Sequence, residues 1–128
     1  MKPMRLEIYG QTVELDEERL ENPEKLRCQL DEYLAGERRR FQLRYRLPDG
    51  FQGRVLSELE DIPYGEVQSY GDLASELDTA PVTVGQALSE NPLPIIVPCH
   101  RVVGKDSTGG YSYGEKLKKK LLSLEGAL

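Results

Sequence analysis

The sequence predicts an α+β chain, with a small α/β part first and a mostly helical part after it. Three observations carry this. In "MRLEIYG" and "QTVELD", on either side of Gly10, apolar and polar residues alternate with the period of two expected of half-buried strands. From Phe51 onward the apolar residues recur at helical spacing. Finally, "SYGDLASEL" and "VTVGQALSE" are two short helical stretches separated only by the turn "DTAP", the layout of a helix-turn-helix. The "PDG" turn after Leu47 divides the chain into residues 1–48 and 49–128.

The elements follow in order. After the two strands, "EKLRCQLDEYL" (Glu24 to Leu34) places Leu26, Leu30, Tyr33 and Leu34 on one helical face. Asn22 is its N-cap, Pro23 its first residue and Gly36 its stop. Cys28, inside this helix, reads as structural. "RRRFQLRYRL" alternates through Phe41, Leu43, Tyr45 and Leu47 and reads as a third strand. Phe51 to Ile62 reads as an amphipathic helix ended by Pro63, because the residue before a proline avoids the α region. Ser69 caps the next helix, with Asp72 at its third position. Pro92, Pro94 and Pro98 keep "LPIIVPCHRVV" out of a helix, so it is read as extended. "GKDSTGGYSYG" is a glycine-rich loop. The last helix turns Leu117, Leu121, Leu122 and Leu124 inward and its lysines outward.

Bulk properties exclude several classes. With 38% hydrophobic and 30% charged residues the composition is that of a globular protein. A chain of this length buries roughly two thirds of its unfolded surface, so neither disulfides nor metals are required for folding. No apolar run approaches a membrane span, and "MKPMRLEIYG" lacks a secretory core, so the expected compartment is the cytosol, or the nucleus in a eukaryote. Two cysteines and one histidine leave a tetrahedral structural zinc site one ligand short. No metal or cofactor is expected. A net charge of −5 opposes broad attraction to nucleic acid, although Arg38–Arg40 and the C-terminal lysines are local basic clusters.

The chemistry gathers in "PIIVPCHRVVG", where Cys99 adjoins the only histidine, His100. A thiol reacts as its thiolate and needs a base to remove the proton. In an extended strand, adjacent side chains point to opposite faces. His100 then reaches Cys99 only through a turn at Pro98 or a bridging water. On local pattern alone, a buried structural cysteine and a nucleophile fit equally well.

"IPYGEVQSYGDLA", "VGQALSENPLPIIVPCHRVVG" and the terminal "LLSLEG" occur together and in order. In these motifs the chain closely resembles the O6-alkylguanine-DNA alkyltransferases, or methylated-DNA–protein-cysteine methyltransferases. The resemblance covers Phe51 to Gly126. It implies an RNase H-like N-terminal domain, here shortened to three strands and one helix, and a C-terminal domain with a winged-helix-like helix-turn-helix. It implies a monomer that binds double-stranded DNA containing O6-alkylguanine in the minor groove, flips the base out and takes its alkyl group irreversibly. Cys99 is then the acceptor, His100 its base through a water, and Glu125 the group that orients His100. Asn91 holds the turn before the active segment, and Tyr70 donates to guanine N3. Carbonyls near Val97, Cys99 and Val102 read the exocyclic amine, and Tyr111 and Ser112 cover the base. Thr83, Gln86 and Ser89 lie on the DNA-facing helix. Arg101 is a structural or DNA-backbone contact.

The chain departs from the family at four places. Val82 stands where an arginine usually fills the gap left by the flipped base; an apolar wedge also unstacks bases but carries no charge. Gln86 replaces a small residue. Leu56 stands where a tryptophan is common. Tyr113 stands where glycine is common and is expected to narrow the alkyl pocket. Two alternatives remain: a lesion sensor, whose members lack the acceptor cysteine, and a transcription regulator, which requires an extra DNA-binding domain.

Overall fold

A computed structural model describes residues 2–128. Strand β1 (Pro3–Ile8) pairs antiparallel with β2 (Gln11–Asp16) from Pro3↔Asp16 to Ile8↔Gln11. The two-residue turn, Tyr9-Gly10, has positive φ at both positions (51° and 81°), the backbone sense that matches strand twist. The hairpin buries Met4, Leu6, Ile8, Val13 and Leu15. Helix α1 (Pro23–Leu34) starts as expected: the Asn22 side chain accepts from Lys25 N, and Leu26, Leu30 and Tyr33 face the core. Cys28 does not; it is exposed, so its reading as a structural residue is corrected.

The third strand is also corrected. Phe41, Leu43, Tyr45 and Leu47 are half-buried in the alternating order the sequence shows. Pairing, however, is limited to one bridge, Leu20↔Tyr45. Gln29 on α1 supplies what a neighbouring strand would: its side chain accepts from Gln42 N at 2.8 Å and donates to Gln42 O at 3.2 Å. Burial thus fixes the alternation, while a helix side chain satisfies the backbone. Among the described residues, the N-terminal part is a two-stranded hairpin, a short 3-10 turn (Glu17–Arg19) and one α-helix.

Helix α2 (Gly50–Leu59) buries Val55, Leu56 and Leu59 and ends before Ile62, which is buried in the following turn. Gly53 is required there, because a Cβ would lie 1.9 Å from the Pro48 carbonyl oxygen. Strand β3 (Gln68–Ser69) pairs in parallel with β4 (Val102–Val103), which ties the segment before Tyr70 to the segment after Cys99. Helix α3 (Tyr70–Glu76) is capped by Ser69, whose hydroxyl accepts from Asp72 N. Helix α4 (Pro81–Ser89) packs on α3 and α2. Gln52 from α2 donates to Glu90 O at 2.9 Å and satisfies the end of α4. Helix α5 (Glu115–Leu124) closes the chain. One buried apolar cluster runs from the hairpin to α5, so the fold is mixed helix with little sheet.

Candidate active site

The end of α4 builds the active segment. Asn91 Oδ1 accepts from Leu93 N at 3.0 Å, and its Nδ2 donates to Val97 O at 2.9 Å, closing the loop between them. Within the loop Ile95 sits at φ 75°, a conformation a β-branched residue holds only when its surroundings impose it. Cys99–Arg101 then form one turn of 3-10 helix, not extended chain. With three residues per turn, successive side chains diverge by about 120°. Cys99 faces a cavity, His100 faces the core, and Arg101 faces the loop after α2.

The Cys99 cavity has a volume of about 370 Å³ and is walled by Tyr70, Gly85, Leu88, Ser89, Gly110, Tyr111 and Ser112. A larger cavity of about 640 Å³ lies between residues 39–45, 60–64 and 95–98, and Cys99 is not in its wall. Cys99 is only 6% exposed, and burial pushes its thiol pKa up. Asn91, the Lys118 ammonium and Tyr111 pull the other way. The buried Tyr111 hydroxyl lies beside the thiol without a hydrogen bond of regular geometry, and as a donor toward the sulfur it lowers the thiol pKa. The resting thiol therefore stays protonated, with groups around it arranged to stabilise the thiolate once it forms.

His100 is fully buried. Its Nε2 lies 2.8 Å from Glu125 Oε2, so the proton belongs on Nε2, and Nδ1 keeps a lone pair with no protein partner. Burial lowers its pKa against the pull of Glu125, leaving a neutral imidazole with a free basic nitrogen. Glu125 also accepts from Arg101 through two nitrogens, at 2.9 Å and 3.0 Å, and from Tyr33 Oη at 2.5 Å. Burial alone would raise the carboxyl pKa; the donors from His100, Arg101 and Tyr33 hold it at about 2.

Lys118 overturns the outward reading of the α5 lysines, because it is fully buried. Its Nζ donates to Val102 O at 2.6 Å and Gly110 O at 3.0 Å and lies 5.5 Å from the Tyr70 ring centre. Burial lowers its pKa to about 8. Tyr70 Oη donates to Gly110 O at 3.2 Å. Gly109, at φ 76°, lets the loop close over this pair; a Cβ there would sit 2.8 Å from the Tyr70 ring.

The structure brings together Tyr70, Asn91, Cys99, His100, Tyr111, Ser112 and Glu125, and corrects two other sequence readings, at Val97 and Tyr113. Of the two readings of Arg101 the structural one holds: its guanidinium binds Glu125 and Ile62 O, the latter at 2.8 Å. Val97 O already accepts from Asn91 and from Cys99 N, which leaves it no lone pair for an incoming amine. Cys99 O accepts from Val102 N, and Val102 O accepts from Lys118 Nζ. Tyr113 is outside the pocket; its hydroxyl donates to Glu14 O at 3.0 Å and docks the loop on the hairpin. Val82, at 77% exposure, projects from α4 with Gln86 and Ser89 exposed on the same helix and Thr83 half-buried. Sequence reasoning missed Lys118 and Tyr33. Lys118 was signalled by its position on the stripe shared with Leu122 and Glu125; the Tyr33 hydroxyl had no signal, its partner being 92 residues away.

Residues 50–127 match the family model of the 6-O-methylguanine DNA methyltransferase DNA-binding domain. A methylated-DNA–protein-cysteine methyltransferase of Archaeoglobus fulgidus is 51% identical over 105 residues, 77% of this chain and 71% of that protein. The chain spans between 45% and 71% of the length of such curated relatives. The OGT of Mycobacterium tuberculosis in complex with DNA superposes with a TM-score of 0.77 at 42% identity, covering 81% of this chain and 67% of that one. An O6-methylguanine DNA methyltransferase from Methanococcus jannaschii gives a TM-score of 0.68 at 34% identity, covering 98% of this chain and 89% of that one. With Cys99, His100 and Glu125 all inside the matched residues, the chain belongs to the 6-O-methylguanine DNA methyltransferase family.

Proposed function

We propose that this chain repairs DNA by direct reversal, moving an alkyl group from O6-alkylguanine to Cys99 in a single turnover. The observation that carries the reading is a thiol at the wall of a base-sized cavity, adjoining a neutral buried imidazole held by a carboxylate. His100 Nδ1 takes the thiol proton through a water, and Glu125 stabilises the imidazolium. The sulfur attacks the alkyl carbon; the S–C bond forms as the C–O6 bond breaks, and the electron pair leaves on guanine. Tyr70 turns its hydroxyl proton from Gly110 O to guanine N3, which offsets the charge that develops there. Cys99 and Val102 carbonyls accept from the exocyclic amine, and Tyr111 and Ser112 cover the ring. The thioether has no route back, so each molecule acts once.

The O6 atom is out of reach of a buried sulfur while guanine is stacked, so the base must be flipped out at a cost of a few kcal/mol. Helix α4 faces the minor groove and Val82 wedges the stack, with Thr83, Gln86 and Ser89 beside it. We read residues 49–128 as a winged-helix-like alkyltransferase domain and residues 1–48 as a reduced RNase H-like domain; the start of the family match at residue 50 supports that division. We further read the protein as a cytoplasmic or nuclear monomer; among the described residues no helix is long and apolar enough to cross a membrane. The test is incubation with a duplex carrying O6-methylguanine, followed by nucleoside analysis. Guanine restored in amounts equal to the protein, and no more, supports the proposal. Binding that leaves the lesion unchanged points to a sensor instead.

A further inference from the structure

Glu125 is reached from outside the residues matched to the DNA-binding domain. Tyr33, on α1, is 1% exposed and donates its hydroxyl proton to Oε2, the same oxygen that faces His100 Nε2. Its ring is fixed by Phe41, with centroids 5.3 Å apart, and by Tyr64, edge-on at 6.2 Å. Burial and the adjacent carboxylate keep the phenol protonated far above neutral pH, so Tyr33 acts only as a donor.

We infer that Tyr33 is a positioning residue for the reaction at Cys99: its hydroxyl fixes the Glu125 carboxylate and moderates that carboxylate's pull on the His100 proton. This rests on the proposed role of His100 as the base. A carboxylate oxygen that already accepts from a phenol has less charge left for the imidazole. His100 therefore stays neutral and able to accept the thiol proton. The groups around the pair are few. Arg101, in the same turn as His100, holds both oxygens of Glu125, while Lys118, from α5, and Arg101 both disfavour a charged His100. Tyr64, from the loop after α2, faces Tyr33. Among the described residues other than His100 itself, only Tyr33 adds a proton donor to Oε2 without adding charge.

The sign follows. Without the hydroxyl, Oε2 attracts the imidazole proton more strongly and the His100 pKa rises. Less neutral base is then present at a given acidic pH. The reaction of Cys99 with iodoacetamide, followed by peptide mass spectrometry across about pH 5 to 9, reads this without DNA. The exposed Cys28 serves as an internal reference. Tyr33→Phe is expected to move the acid limb of the Cys99 profile up by roughly one pH unit, slowing the reaction about tenfold below it. 3-Fluorotyrosine introduced at position 33 keeps the shape and strengthens the donor, and is expected to move the limb down. It also decides the matter if Tyr33→Phe does not fold. A merely structural Tyr33 changes stability or amplitude and leaves the limb in place in both proteins, which overturns the inference. Methyl transfer from DNA by the wild type is measured in parallel. Transfer with an unmoved limb removes the inference alone; a moved limb without transfer keeps Tyr33 and removes the proposed function.

Discussion

Lys118 shows what one buried charge does here. Its ammonium holds two carbonyls of the loop and lies near the thiol, whose pKa it lowers. Lys118→Met keeps most of the volume but removes the charge. The Cys99 profile should move to higher pH, and alkylation at neutral pH should slow about tenfold for every pH unit by which the profile moves. Rates of iodoacetamide reaction at fixed pH check this; an unchanged rate would mean that the ammonium serves only the loop. The residue was legible in principle, since a lysine on an apolar helical stripe must be paired or mis-assigned. Read as part of a charge run, it looked solvated. The cysteine and histidine were legible as a pair, but their geometry was not. A proline-rich segment reads as extended, whereas Pro98 is followed by a 3-10 turn that sends the two side chains in different directions.

Helices were the most readable elements, because caps and periodicity agree: Asn22 and Ser69 cap the helices they were expected to cap. The supposed third strand failed because alternation records burial, whereas a strand also needs a partner, and Gln29 takes that place. Helix α4 is the element proposed to deliver the base. It carries no Lys or Arg between Pro81 and Ser89, and its most exposed large apolar side chain is Val82. Val82→Arg adds a cation and five donors at the position proposed to face the stack. It should tighten binding to lesion-containing duplex, by roughly five- to tenfold at low salt, with a steeper salt dependence. Fluorescence anisotropy on matched and lesion duplexes checks this. Equal affinities would mean that another side chain already fills the gap.

Across the whole molecule, three buried groups make stability rise with pH. Glu125 has a folded pKa of about 2 against an ordinary 4.5, so its contribution is complete above 4.5 and is lost as pH falls toward 2. His100 is held neutral, so acidification below its ordinary value of 6.5 favours the unfolded chain. Lys118 has a folded pKa of about 8 against 10.5, so its own contribution climbs between those values, while the buried Cys99 thiol, whose pKa is raised, works in the opposite sense above its ordinary value. Thermal unfolding should therefore show Tm falling from pH 7 to pH 3. Glu125→Ala, which strands Arg101 without its partner, should cost about 3–5 kcal/mol at neutral pH and flatten the acid step. A step of the same size in both proteins would place the titration elsewhere. The same network joins α1 to the end of the C-terminal helix through Tyr33, so α1 holds the Glu125 carboxylate as well as packing into the core.

The final position of the alkyl group decides between repair and mere binding. Peptide mass spectrometry after incubation with a duplex containing O6-methylguanine locates it directly. The prediction is one methyl on Cys99 in place of the thiol hydrogen, no methyl on the exposed Cys28, and none anywhere in Cys99→Ala. A methyl on Cys28, or a bound duplex with both cysteines unmodified, would contradict it.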